Sequence, residues 1–188
     1  LPSIGVADGR LMRFKVTANV AGPVSVNEFT FTIASSTGMT VTTVRLKAYS
    51  DSAYSSAISG QGSGGQIGSD TANVISGTAF EISPTTNPVQ VPAGQSVYFE
   101  LTGAVTMSGQ TSYSVVTTLS GDTAAVTGLT SGYNVGTTTA SGEVGATAAN
   151  FVWSGNSSTT AARADVDWSN GFNIPGLPGG GVFQTRSN

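Results

Sequence analysis

The sequence predicts an all-β fold, an immunoglobulin-like antiparallel β-sandwich of about seven or more strands with an extended C-terminal arm. Three observations predict it. Short runs rich in Val, Ile, Phe and Thr alternate apolar with polar residues at period two. Turn signals such as Ala21-Gly22-Pro23, Ala93-Gly94 and Ser120-Gly121-Asp122 separate these runs. No stretch shows the three-and-four apolar spacing of a helix, which excludes a parallel α/β fold.

Taken in order, Leu11 to Val20 alternates cleanly, with Met12, Phe14, Val16, Ala18 and Val20 on one face. In Val24 to Ala34, Val24 and Val26 share a phase, whereas Phe29, Phe31 and Ile33 take the opposite one. One extra residue at Asn27-Glu28, a β-bulge, accounts for the slip. Met39 to Tyr49 is a further strand with a second phase change near Thr42-Thr43, leaving Arg45, Lys47 and Tyr49 on the solvent side. The polar stretch Ser50 to Asp70 reads as a surface loop or weak edge without core residues. Thr78 to Ser83, Val89 to Pro92, Gln95 to Val105 and Tyr113 to Leu119 complete the clear strands. Weak strands are expected in Ala124 to Val144, and a last strand in Ala148 to Trp153.

Composition narrows the function classes. The 188 residues suffice for one well-cored domain, here read as a sandwich over 1–153 and a Ser/Gly/Pro-rich extension over 154–188 that docks on its own or a neighbouring subunit. Charged residues make up 9%, against about 25% in an average domain, and Ser, Thr, Gly and Ala replace them. Net charge is −3 and no basic patch stands out, so nucleic acid is not an expected partner. No apolar run is long enough to predict membrane insertion. Cys and His are both absent, which removes thiolate chemistry, imidazole catalysis and nearly every zinc, copper or haem site. The opening at Leu1-Pro2, without Met, suggests a processed or partly observed product, with any signal peptide already gone.

The stretch Phe151 to Pro178 holds both tryptophans, Trp153 and Trp168. Its residues Phe151, Trp153 and Ser154, then Asp167-Trp168-Ser169-Asn170-Gly171-Phe172, Ile174 and Pro175-Gly176-Leu177-Pro178, form an FxWS strand followed by a DW[ST]NG[YF]x[VI]PGLP run. This pattern resembles the C-terminal tail of β-sandwich cell-surface proteins, S-layer-like or filament-forming, of uncultivated candidate-phyla bacteria. The upstream LMRFKVTANVAGPVSVNEFTFTI and VPAGQSVYFELTGAV are similar to the sandwich preceding that tail. The resemblance implies a secreted, cell-surface protein, and carries no catalytic residues with it.

Few side chains suggest a site. Asp165, Asp167 and Asn170 have a spacing compatible with calcium, set against an Asx-rich turn; no other cofactor is expected. Asn156-Ser157-Ser158 is a glycosylation sequon. Glu28, Glu81, Glu100 and Glu143 fall on expected solvent faces or loops, not in an acid pair. Asp8 and Asp122, each beside Gly, read as turn residues. Tyr49, Tyr54 and Tyr98 are sugar-stacking candidates if exposed, and Arg13, Lys15, Arg45 and Lys47 share a face if their strands are neighbours.

Low charge, missing catalytic residue types and apolar ends together suggest a non-enzymatic structural subunit of an extracellular polymer, a pilus-like filament or surface layer. Its partners are copies of itself, joined non-covalently, with strand donation by a terminal segment as one route. The expected interface residues are Leu1, Ile4, Val6, Trp168, Phe172, Ile174, Leu177 and Phe183. The alternative is a carbohydrate-binding or adhesive module of a larger bacterial surface protein, with cell-surface glycans as partners.

Overall fold

The computed structural model of the chain describes residues 6–109, 112–124, 150–157 and 167–187. Among them the chain forms β1 (Val6–Thr17), β2 (Val24–Ser35), β3 (Met39–Tyr49), β4 (Gln66–Val74), β5 (Ala79–Ile82) and β6 (Val89–Val91). It continues with β7 (Ser96–Met107), β8 (Ser114–Leu119), β9 (Phe151–Ser154), β10 (Trp168–Asn170) and β11 (Val182–Ser187). The described residues contain no α-helix, and a single 3-10 turn spans Ser63–Gly65. Two antiparallel sheets pack as a sandwich. The first has the order β1-β7-β3-β4, and the other seven strands make the second.

The second sheet is organised on β2. Phe29 pairs with Ile82 and with Phe151, while Phe31 pairs with Phe80 and with Leu119. Each residue has one neighbour on each side, so β5 and β6 line one edge of β2 while β8 and β9 share the other. Strands β11 and β10 then flank β8 and β9. Seven strands thus occupy four rows.

The alternation read from the sequence supplies the core. Val97, Phe99 and Leu101 of β7, Val44, Leu46 and Ala48 of β3, and Phe29, Phe31 and Ile33 of β2 are all buried between the sheets. Phe14 stacks on Phe99 at 5.0 Å, Phe29 lies 4.9 Å from Phe99, and Phe151 meets Phe29 edge-on at 5.5 Å. Offset and edge-on arrangements are those that aromatic quadrupoles favour. The bulge expected at Asn27-Glu28 is the register shift between Val26 and Glu28 against β9. The second phase change is the shift between Thr42 and Arg45 against β7, with Thr43 at φ 52°.

Four expectations need correction. Strand β1 ends at Thr17, and Val20, expected inward, is 84% exposed in the turn that follows. A register shift between Arg10 and Met12 lets both Leu11 and Met12 be buried, where strict alternation allowed one. Ser50 to Asp70 is loop through residue 65, but Gln66 to Asp70 opens β4 and buries Ile67 completely. Glu28, expected to be solvated, is 1% exposed: it pairs with Val152 on the outward side of the second sheet, where Val152 and Trp168 are also buried.

The described part of 154–188 belongs to this sandwich. Trp168 pairs with Ser154, β11 runs along β8, and Leu177 is buried in the core. The weak strands expected in Ala124 to Val144 fall, from residue 125 on, outside the described residues.

Candidate functional site

Strands β1 and β3 both flank β7, so their outward residues meet on one face. Arg13 and Lys47 lie opposite Glu100, Lys15 and Tyr49 opposite Tyr98, and Arg10 and Arg45 opposite Thr102. The shared face expected for Arg13, Lys15, Arg45 and Lys47 is therefore formed, with Arg10 added. Arg13 donates from Nε to Glu100 at 2.8 Å, and its Nη2 lies 2.7 Å from the same carboxylate oxygen. Arg45 grips Asp70 from Nε at 3.0 and 2.9 Å and from Nη2 at 2.9 Å. The guanidinium draws the Asp70 carboxyl below the usual carboxylate range, first through these hydrogen bonds, and Asp70 raises Arg45 in return.

A third tyrosine comes from the loop after β3. Asp51 organises that loop by accepting the amide N–H groups of Ala53 at 2.8 Å, Ser56 at 2.6 Å and Ser55 at 3.2 Å, and the Ser55 hydroxyl at 3.2 Å. These donors, Ser56 foremost, hold its carboxyl below the ordinary range. The loop sets Tyr54 at φ 59°, a left-handed conformation that is an outlier for a bulky residue. Its ring meets Tyr49 edge-on at 5.7 Å and Tyr98 edge-on at 6.0 Å, while the Arg13 guanidinium carbon sits 3.8 Å from its centroid. Partial burial raises the Tyr49 and Tyr54 hydroxyls above their ordinary pKa. Beside this corner lies a shallow depression of about 460 Å³ lined by Arg45, Lys47, Ser63, Gln66, Ser69 and Asp70. The face thus offers aromatic rings, cations and hydroxyls, which are recognition groups.

The outward face of the second sheet differs in character. Across β5, β2, β8 and β11 it carries Ala79, Thr32, Thr118 and Phe183 in one row and Ala34, Val116 and Thr185 in the next. None of these residues is ionisable, and Phe183 is 69% exposed.

The sequence-derived interface residues scatter. Val6 starts β1 and packs against the core, Trp168 and Leu177 are buried, and Ile174 is half-buried against the same core. Phe172 and Phe183 are exposed. Leu1 and Ile4 lie outside the described residues, as does Asp165 of the calcium set. Asp167 accepts the N–H and hydroxyl of Ser157 at 2.9 and 3.0 Å. Asn170 donates to the Ala124 carbonyl at 2.8 Å and accepts the Phe172 N–H at 3.3 Å. Both therefore bond groups of the chain itself, and the described residues hold no group of three metal-ligating Asp or Glu side chains. The Asn156 carboxamide accepts from the Ser25 hydroxyl at 2.6 Å and donates to Gln90 at 3.4 Å, so it is engaged within the sheet.

One residue expected only to make a local turn ties distant segments together. Buried Asp122 accepts the N–H groups of Asn150 at 3.0 Å, Phe151 at 3.3 Å and Gly171 at 2.8 Å. The chain leaves the edge of β2 at Ser120, whose N–H bonds the Thr30 carbonyl at 2.9 Å. It returns at Asn150, whose carbonyl takes the Thr30 N–H at 2.9 Å. Asp122 ties that departure, that return and the end of β10 into one knot.

Comparison of the chain with protein-family models, with curated proteins and with solved structures finds no match.

Proposed function

We propose that this chain is a structural, immunoglobulin-like subunit of an extracellular polymer, a filament or surface layer, built from copies of itself through non-covalent contacts. One observation carries the reading: an uncharged patch on the outward face of the second sheet, beyond the Thr30–Glu81 row, with Phe183 standing out among Ala34, Thr118 and Thr185. A sheet face left to water normally carries charge, which also discourages association. An uncharged, β-branched face with a projecting aromatic ring suits packing against another sheet, and Phe is enriched at such interfaces. The chain's 9% charged residues add little electrostatic repulsion between copies. The tail contributes to this reading through β11, which holds Phe183 on the sheet, rather than as a free arm.

Negative-stain electron microscopy and sedimentation velocity of the full chain, beside Phe183→Glu, test it. Filaments or sheets are expected from the unaltered chain and dispersed monomers from the variant, with identical melting of the two folds. Monomers from both, at every concentration, would sink the proposal.

A further inference from the structure

We propose that Asn170–Gly171 is a self-modification site that the fold keeps closed: while β10 is docked the pair stays intact, and release of β10 lets Asn170 deamidate and bars its return. This inference rests on the knot around Asp122 and is independent of self-assembly.

Asn170-Gly171 is the chain's one Asn-Gly pair. In such a pair the Gly nitrogen attacks the Asn Cγ with no Cβ to hinder it. The Gly171 N–H proton passes to water, a bond forms between Gly171 N and Asn170 Cγ, and the Cγ–Nδ2 bond breaks to release ammonia. Water then opens the cyclic imide at either carbonyl, leaving aspartate or isoaspartate at 170. Attack requires a conformer in which the nitrogen and Cγ meet, so bonds that fix both groups elsewhere block the reaction.

The docked strand fixes both. Asp122 Oδ2 accepts the Gly171 N–H at 2.8 Å. The Asn170 carboxamide donates to the Ala124 carbonyl at 2.8 Å and accepts the Phe172 N–H at 3.3 Å, and the Asn170 carbonyl accepts the Trp153 indole N–H at 2.9 Å. Asn170 is 7% exposed, so its Cγ is also sheltered from water. The same packing demands the reactive residue types. A Cβ on Gly171 would lie 2.9 Å from the Phe151 Cβ and 3.1 Å from Asp122 Oδ2, and a carboxylate at 170 has no N–H for Ala124.

The product does not fit the place it left. Aspartate at 170 loses the donor to Ala124 and brings a second carboxylate into a knot already built on buried Asp122. Burying two like charges together is costly. Isoaspartate adds a methylene to the main chain between β10 and Gly171, so with Trp168 still opposite Ser154 the Gly171 amide no longer reaches its place on Asp122.

The test follows conversion of Asn170 to an acid by peptide mass spectrometry, with the full chain held at mildly alkaline pH in native buffer and in denaturing urea. Conversion is expected to be at least about tenfold slower in native buffer, because a locked site reacts only through its open fraction. Asp122→Ala and Trp153→Phe, in native buffer, should each convert about tenfold faster than the unaltered chain, and urea should erase these differences. Modified chain, separated by ion exchange and returned to native buffer, should lack hydrogen-exchange protection at Phe151 and Gly171 while β3 and β7 keep theirs. Equal rates in native buffer and urea, unchanged conversion in the variants, or native protection at Gly171 in the modified chain would overturn the assignment. The first and last of these use the unaltered sequence, so they decide the matter even if Asp122→Ala does not fold.

Discussion

The side-chain amide of Gln184 does for Arg13 what a neighbouring strand would do: its Nε2 donates to the Arg13 carbonyl at 2.7 Å and its Oε1 accepts the Arg13 N–H at 3.1 Å. Strand β1 is an edge of the first sheet and β11 flanks β8 in the second, so one carboxamide joins the two sheets where their edges meet. An unpaired edge invites pairing with another chain, and this bond blunts that edge at its middle. On the opposite side, Gly68 of β4 comes so close to the Ser83 carbonyl that a Cβ would collide with it, so those edges also approach.

Gln184→Ala removes both bonds and leaves a half-buried backbone pair unmatched. A loss of about 1–2 kcal/mol is expected, on the scale of two ordinary hydrogen bonds. Gln184→Glu keeps the acceptor and loses the donor, so it should fall between the two. Urea denaturation midpoints at unchanged slope are the measurement; a Gln184→Ala midpoint equal to that of the unaltered chain would show that water replaces the amide without cost.

Asp122→Ala leaves three buried N–H groups without their acceptor. The expected cost is about 3 kcal/mol or more, because each buried unsatisfied donor costs on the order of 1–3 kcal/mol. Hydrogen exchange gives a sharper readout than the melting point. The amides of Asn150, Phe151 and Gly171 should lose protection in the variant while those of β3 and β7 keep theirs. Uniform loss across the chain would mean that Asp122 matters to global stability alone.

The tail is part of the sandwich, and truncation should reveal it. A chain ending at Asn170 lacks β11, Gln184 and the buried Leu177, and exposes the outer edge of β8. Loss of these contacts should lower the melting temperature by more than about 10 °C, given about 2–4 °C per kcal/mol for a chain of this size. Trp168→Ala, at a fully buried position, should cost about 3–5 kcal/mol. Cooperative melting of the truncated chain near the full-length value would show that the tail is dispensable.

The legible part of this fold is the part that alternates. Val97, Phe99 and Leu101, and the slip between Val26 and Phe29, announce strand faces and a bulge because period two is written in consecutive residues. What stayed hidden depends on distant partners. Ile67 sits in Gly/Ser-rich sequence that gives no strand signal, and becomes core because β3 pairs with it. Asp122 looks like any residue ending a strand, since its partners are backbone amides 28, 29 and 49 positions away. The tyrosine corner was visible as three residue names, but the left-handed Tyr54 that assembles it was not.

The carboxylates predict a stability profile with an acid-side maximum. Burial raises the Asp122 pKa against the pull of its three amide donors, so the folded state binds that proton more tightly than the unfolded chain does. Stability from this group therefore rises as pH falls from neutral through its raised folded pKa toward the ordinary carboxylate value. Asp51 and Asp70 act oppositely, because their depressed folded pKa values mean stability that is present above the ordinary range and lost as pH falls below it. Urea midpoints measured from pH 7 downward should first climb and then drop. The midpoint of the unaltered chain should gain on that of Asp122→Asn over the climb, and the gap to Asp51→Asn should narrow over the drop. A midpoint that falls steadily from pH 7, with both gaps constant, would place the acid sensitivity in other groups.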